Sequence, residues 1–322
     1  MKSNDVLNIS SNVFKMLFIV IICFFISLGI GRYDIGFSNI DLILSIRFPR
    51  VLLALSTGGI LALCGLLFQM IFKNPIASPD ILGVSSGACF GSALAIILPF
   101  SFFGKVQILS FVFAMIAVIL TYSLNKFSKD KSLLYLILSG IIVSAFFSAS
   151  YNFLKYIADP YEELPSIVFW AMGGLYRSTY TNSIISFILL ISSTFLIHKL
   201  YFKISILTID DELAISMGLD VQLFRWILLC WVSFLVAYVI SLIGIIGWIS
   251  LVIPHISLFL FPNSRYRILL TALSGMLCLI ILDTLARSLF SFEIPIGILS
   301  SIFSTPILAY LIFSKKFIRK DT

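Results

Sequence analysis

Long runs without a single ionisable side chain leave this sequence few folds to choose from. Residues 16–31, 51–72, 81–104, 106–125, 132–154 and 178–197 contain no Asp, Glu, Lys, Arg or His. A hydrocarbon core about 30 Å thick takes roughly 20 helical residues, and only a helix or a closed barrel satisfies its own backbone hydrogen bonds there. The runs are too long for barrel strands, so each predicts one membrane-crossing helix. A further apolar stretch begins at Trp226 and continues through Pro254 and His255 to Ser264, too long for one crossing. Gly244 and Gly247 supply a place to turn, which divides it into two spans. Residues 268–282 and 294–314 complete a set of ten. A shorter apolar piece, residues 164–176, is bounded by Pro165 and by Gly173 and Gly174 and reads as a partial or surface helix. Lys2 and Lys15 ahead of the first run give it the layout of a signal peptide. No A-x-A-like site follows, however, and its length suffices for a span.

Composition agrees, with 60% hydrophobic and 11% charged residues, too little polar surface for a soluble domain to cover itself. No polar linker or low-complexity tract divides residues 1–322, so the expectation is one all-α polytopic membrane domain. Cys23, Cys64, Cys89, Cys230 and Cys278 all lie in apolar stretches without a CxxC pair or a nearby His, and read as small packing residues. The formal charge of +7 forms no patch or stripe of the kind that binds nucleic acid. Instead it reports orientation. With ten spans both termini share a side, and placing them in the cytoplasm puts 15 of the 22 basic residues on inner loops, among them Lys73, Lys126, Lys129, Lys131, Arg225 and Lys315. Arg32, Arg47, Arg50, Lys105, Lys155, Arg177 and Arg287 then lie outside, a bias that supports cytoplasmic termini.

Ionisable groups inside a membrane are expensive and usually functional, yet the spans hold almost none. Proton-coupled transporters carry intramembrane carboxylates or His chains, and an intramembrane enzyme needs a nucleophile with its base, or metal ligands. The exceptions are Asp283 and His255. Asp283 sits four residues before Arg287, on one helix face, as a structural ion pair or as part of a partner-binding surface. His255 follows Pro254 and reads as a packed, hydrogen-bonded side chain. No G-x-x-x-x-G-K-[ST] is present, so another subunit must supply energy if transport is active. The reading is a transport protein that is not an enzyme, with no metal site and no cofactor of its own.

Three segments suggest packing and partners. Gly83, Gly87 and Gly91 recur every four residues and line one face of the third span, where a neighbouring helix can approach closely. The inner loop Lys73-Asn74-Pro75-Ile76-Ala77-Ser78-Pro79-Asp80 is held extended by its prolines, with Asp80 placed to cap the next helix. In the longest inner loop Thr208 and Asp211 resemble a capping box and Gly218 is a helix stop, predicting a cytoplasmic helix of about two turns. Leu213, Ala214 and Met217 would share a face, suited either to the membrane interface or to a groove in a partner.

Together these segments resemble the FecCD-type permeases, the membrane subunits of ATP-driven importers for ferric siderophores, haem and cobalamin. Arg47-Phe48-Pro49-Arg50 followed by Asn74-Pro75-Ile76-Ala77-Ser78-Pro79-Asp80-Ile81-Leu82-Gly83-Val84-Ser85-Ser86-Gly87-Ala88 is similar to one signature. Gly244-Ile245-Ile246-Gly247-Trp248-Ile249-Ser250-Leu251-Val252-Ile253-Pro254-His255-Ile256, Asp283-Thr284-Leu285-Ala286-Arg287 and Glu293-Ile294-Pro295-Ile296-Gly297 resemble a second. The resemblance extends from Arg47 to about Leu311. It implies a homodimer or heterodimer of ten-helix permease subunits in the cytoplasmic membrane, surrounded by lipid. Two cytoplasmic ATP-binding subunits would lie beneath and an extracytoplasmic solute-binding protein would dock outside. By position, Arg47, Arg50 and Arg287 would receive acidic residues of that binding protein. The segment from Leu213 to Gly218 would be the coupling helix in a groove of the ATPase. Departures stand at Ser250 and Ser304, where the family often has Gly, at Leu258, where it has Arg, and near Pro262, where it has Gly. The implied cargo is a ferric siderophore, with haem or cobalamin as alternatives. A secondary transporter working alone would need the buried titratable groups that are scarce here. Composition by itself also leaves room for a non-transporting scaffold.

Overall fold

The computed structural model describes residues 3–31, 40–100, 102–127, 133–209, 211–262 and 266–313. Among the described residues every regular element is a helix. In chain order they are α1 (Ser3–Gly29), α2 (Ile40–Leu42) continuing into a π turn (Ile43–Arg47), α3 (Phe48–Phe72), a 3₁₀ turn (Pro79–Leu82), α4 (Val84–Ile97), α5 (Lys105–Phe127), α6 (Leu133–Ile157) and α7 (Glu163–Ala171). There follow α8 (Tyr180–Ile209), α9 (Asp211–Ser216), α10 (Val221–Ile243), α11 (Ile249–Leu260), α12 (Arg267–Ser288) and α13 (Ile296–Phe313). Seven of these are long and apolar enough to cross a membrane, and three shorter apolar helices, α4, α11 and α13, stand where the other three spans were expected. At 1.5 Å per residue α4 and α11 reach only about 18–21 Å, short of the hydrocarbon thickness. Local chemistry explains both. Gly83, with φ 80°, breaks the third span between the 3₁₀ turn and α4. Gly244 (φ 74°) and Trp248 (φ 70°) separate α10 from α11, at the turn expected from Gly244 and Gly247. Of the basic residues used for orientation, Lys2, Arg32, Lys129, Lys131, Arg265, Lys315, Lys316, Arg319 and Lys320 lie outside the described residues.

The chain forms two compact units, each assembled from separated segments. The first comprises Met1–Leu66, Leu175–Lys199 and Ile246–Thr322. Helices α3 and α12 approach closely in it, where a methyl group on Gly58 would strike the Gly275 carbonyl and one on Gly275 the Gly58 carbonyl. Gly65 of α3 presses likewise on the backbone of Ser250 in α11. Lipid tails are as apolar as leucine, so helices in a membrane gain little from burying Leu and much from close backbone approach at small residues. Between α1, α3, α8 and α12 lies an apolar cavity of about 620 Å³ with Phe24, Leu52, Leu190 and Leu273 in its wall. Among the described residues His198 is the one ionisable side chain lining it.

The second unit comprises Leu67–Gly174 and Leu200–Ile245. Its helix α6 shows how sequence divides a membrane helix into two faces. Leu136, Ser139, Gly140, Val143 and Phe147 are buried, while Leu138, Ile142, Phe146 and Phe153 are exposed, both sets at spacings of three or four residues or their multiples. The buried face packs Val143 and Phe147 on Ala117, with Phe90 and Phe113 beside them. The exposed face presents the large apolar side chains that a lipid solvent accepts. The expected partial helix appears as α7, closed by Gly173, whose φ of 72° only glycine adopts readily.

Candidate functional site

In the first unit, charge is concentrated around the end of α1, the start of α3 and the end of α12. Pro49 stands in the first turn of α3, where it has no N–H to give and its ring crowds the carbonyl four residues earlier. The preceding turn, Ile43–Arg47, is widened to π geometry. Ser183 of α8 donates to the Pro49 carbonyl at 2.6 Å, which holds the turn in place. Arg50 then points at α12. Its Nε donates to Asp283 Oδ1 at 2.8 Å, and its Nη2 lies 2.8 Å from the same oxygen and 2.5 Å from Glu293 Oε1.

Arg287, one turn after Asp283, places Nε 3.4 Å from Asp283 Oδ2. Its Nη2 donates to the Ser27 carbonyl at 2.5 Å and to Ser27 Oγ at 2.6 Å. Arg47 Nη1 donates to the carbonyls of Leu28 and Gly29 at 3.1 and 3.2 Å. Two guanidiniums thus cap the carbonyls that the last turn of α1 leaves without helical partners, at the end where the helix dipole favours cations. The Asp283 side chain is fully buried and those of Arg50 and Arg287 are 10% and 9% exposed, while Glu293 keeps 29%. Buried charges persist only when paired and hydrogen-bonded. Three arginines against two carboxylates leave these five side chains one positive charge in excess.

The second unit carries a different site around α9. Asp211 at its start accepts from Lys73 Nζ at 3.1 Å and from Arg225 Nη2 at 3.0 and 3.2 Å. Lys73 follows the last residue of α3 and Arg225 belongs to α10, so one carboxylate ties α9 to two membrane helices. Partial burial pushes this carboxyl upward, but the hydrogen bonds and charges of Lys73 and Arg225 outweigh it and hold it below the usual carboxylate range. Gly218, with φ 79°, ends the helix as expected, its N–H bonding Ile215 O at 2.9 Å. The expected capping box is not formed. Thr208 lies within α8, which runs on to Ile209, and its hydroxyl donates to Ser205 O at 2.7 Å. Ala214 is buried whereas Ile215 and Met217 are exposed, because Met217 falls beyond the last helical residue in the turn before Gly218. The side chain of Leu213, and Asp210, lie outside the described residues.

The sequence model of the FecCD transport family matches residues 19–314. The chain belongs to this family. As a FecCD protein it is a permease of an ATP-binding-cassette importer. It is 36% identical over 323 residues to the molybdate import system permease protein MolB of Haemophilus influenzae, covering 94% of this chain and 95% of that one. It is 36% identical over 273 residues to a probable iron chelatin transport system permease protein of Helicobacter pylori, covering 84% and 82%. A solved structure described as an inward-facing conformation of a metal-chelate type ABC transporter superposes with a TM-score of 0.86 at 35% identity, covering 95% of this chain and 99% of that one.

Within this FecCD permease the structure brings Arg50 and Arg287 onto one carboxylate, with Arg47 bonding the same turn of α1 as Arg287. Of the glycines singled out from sequence, Gly87 and Gly91 face α5, where a methyl group would meet the carbonyls of Phe113 and Leu109. Gly83 serves otherwise, as the left-handed residue before α4 with Ser144 of α6 beside it. Asp80 accepts from the Ser85 hydroxyl in the first turn of α4 rather than capping its backbone. His255 is buried, as expected. Sequence reasoning did not find Glu293 as the partner of Arg50, Ser27 as that of Arg287, or the Lys73–Asp211–Arg225 clamp. The only available signal was that all but Ser27 are charged residues next to apolar segments.

Proposed function

We propose that this chain is the membrane-spanning subunit of an importer that carries a ferric siderophore across the cytoplasmic membrane. It works as a dimer of permease subunits on two cytoplasmic ATP-binding subunits and receives cargo from an extracytoplasmic solute-binding protein. The observation that carries the reading is the likeness to the metal-chelate type transporter over 95% of the chain. The positive cluster of Arg47, Arg50 and Arg287 offers the acidic rim of a binding protein a docking point. Helix α9, with Ile215 and Met217 exposed, offers a groove in the ATPase two apolar anchors. Its tie through Asp211 to α3 and α10 passes the ATPase's movement into the membrane helices. The close α4–α5 contact at Gly87 and Gly91, with Gly83 at its foot, forms part of the wall of the path. Molybdate is the second reading, favoured by the 36% identity to MolB over 94% of the chain.

The test is transport by the complex purified with its own ATPase and binding protein and reconstituted into vesicles. ATP-dependent accumulation of an iron-55 siderophore supports the first reading. Accumulation of molybdenum-99 molybdate without iron replaces it by the second. Reversing Arg47 to Glu is expected to weaken docking of the binding protein while the ATPase stays attached. Met217→Asp is expected to detach the ATPase or to let it hydrolyse ATP without transport.

A further inference from the structure

The guanidinium of Arg50 has two edges on which a carboxylate can form a bidentate pair, Nε with Nη2 and Nη1 with Nη2. Asp283, wholly buried on α12, holds the first edge with Oδ1 at 2.8 Å from both nitrogens. Glu293 reaches only Nη2, at 2.5 Å, from the short segment between α12 and α13. The two acids differ in every property that governs release. Asp283 sits within a helix between two arginines with no exposure, whereas Glu293 is 29% exposed and, among the described residues, pairs with Arg50 alone. An incoming carboxylate that takes the Nη1 and Nη2 edge needs the nitrogen Glu293 occupies.

We propose that Glu293 is an internal stand-in for the partner's acid: it neutralises Arg50 while the outer face is vacant and is displaced when a carboxylate of the binding protein docks. The proposal rests on the docking reading above. Asp283 keeps the guanidinium oriented throughout, so the incoming group meets a preset donor. The freed Glu293 carries with it the segment that leads, through Ile294 N–H bonded to Ala286 O at 3.1 Å and through Pro295, into α13. Docking outside is thereby converted into a movement at the start of a membrane helix.

The consequence runs against intuition, since removing a charge from the permease should strengthen its hold on the partner. The measurement is the affinity of the complete permease–ATPase complex, in nanodiscs, for the solute-binding protein recovered with it from cells. Glu293→Gln is expected to bind about three- to tenfold tighter, through slower dissociation, because no internal acid competes. Glu293→Ala should do the same, and Glu293→Asp, which keeps the charge, should stay near wild type. Unchanged or weaker binding by both neutral variants, with Arg47→Glu still weakening docking, overturns the stand-in and leaves the docking reading intact. If Arg47→Glu and Arg50→Glu also leave affinity unchanged, the docking reading falls and the stand-in with it.

Discussion

Asp283→Asn probes the charged cluster most directly, because it removes one charge and no volume. Among the described residues Asp283 is the only carboxylate within ion-pair distance of Arg287, whereas Arg50 also holds Glu293. The substitution therefore strands Arg287 with Ser27 as its remaining partner, at a site where the side chain is 9% exposed. Leaving one member of a buried pair without its counter-charge typically destabilises by about 3–5 kcal/mol, and the Asn carbonyl, still able to accept from Arg50, keeps the expected loss near the lower figure. Unfolding in mixed dodecyl maltoside and dodecyl sulfate micelles, followed by the fluorescence of the four tryptophans, would read this loss. The double variant Asp283→Asn, Arg287→Gln is expected to recover about 1–3 kcal/mol of it, since the stranded charge has gone and coupled neighbours are not additive. A loss below about 1 kcal/mol for the single variant, or strictly additive losses in the double, would refute the claim that these charges compensate one another.

The contact between α3 and α12 yields a second expectation. Gly58→Ala should cost about 1–3 kcal/mol in the same assay by forcing the helices apart, and combining it with Gly275→Ala should add little, because both open one interface. Asp211→Asn should leave ATP hydrolysis in place but lower the cargo moved per ATP, measured in reconstituted vesicles, because α9 loses its tie to α3 and α10. The pH dependence of that tie follows from the lowered Asp211 carboxyl. Its contribution should be complete above about pH 4 and fade only as acid protonates the carboxylate below that, read as the onset of uncoupling in acid.

Much of the architecture was legible because membrane folding reads local hydropathy. The ten apolar stretches reappear as the seven long and three short apolar helices, the turn at Gly244 and Gly247 separates α10 from α11, and Gly218 closes α9. Each depends on residues adjacent in sequence. The third span departed from expectation because Gly83 looked like one of three packing glycines, while a left-handed backbone and a packed helix face leave the same letter in the sequence. The capping box at Thr208 failed for a related reason, since α8 runs past it to Ile209 and has no use for a cap there.

The candidate site was legible in four of its five charged members and illegible in its pairing. The family resemblance pointed to Arg47, Arg50 and Arg287, the scarcity of charge inside the spans pointed to Asp283, and the four-residue spacing of Asp283 and Arg287 is a pair any helix makes. Arg50 finds its acids 233 and 243 residues away, and nothing in the local pattern distinguishes Glu293 from an exposed loop carboxylate. By itself the sequence determined which segments enter the membrane and where they bend, since solvation and backbone geometry act over a few residues. Only the tertiary structure decided which charges share a buried contact and which face outward, because that choice depends on helices from distant segments meeting at small residues and enclosing the ions between them.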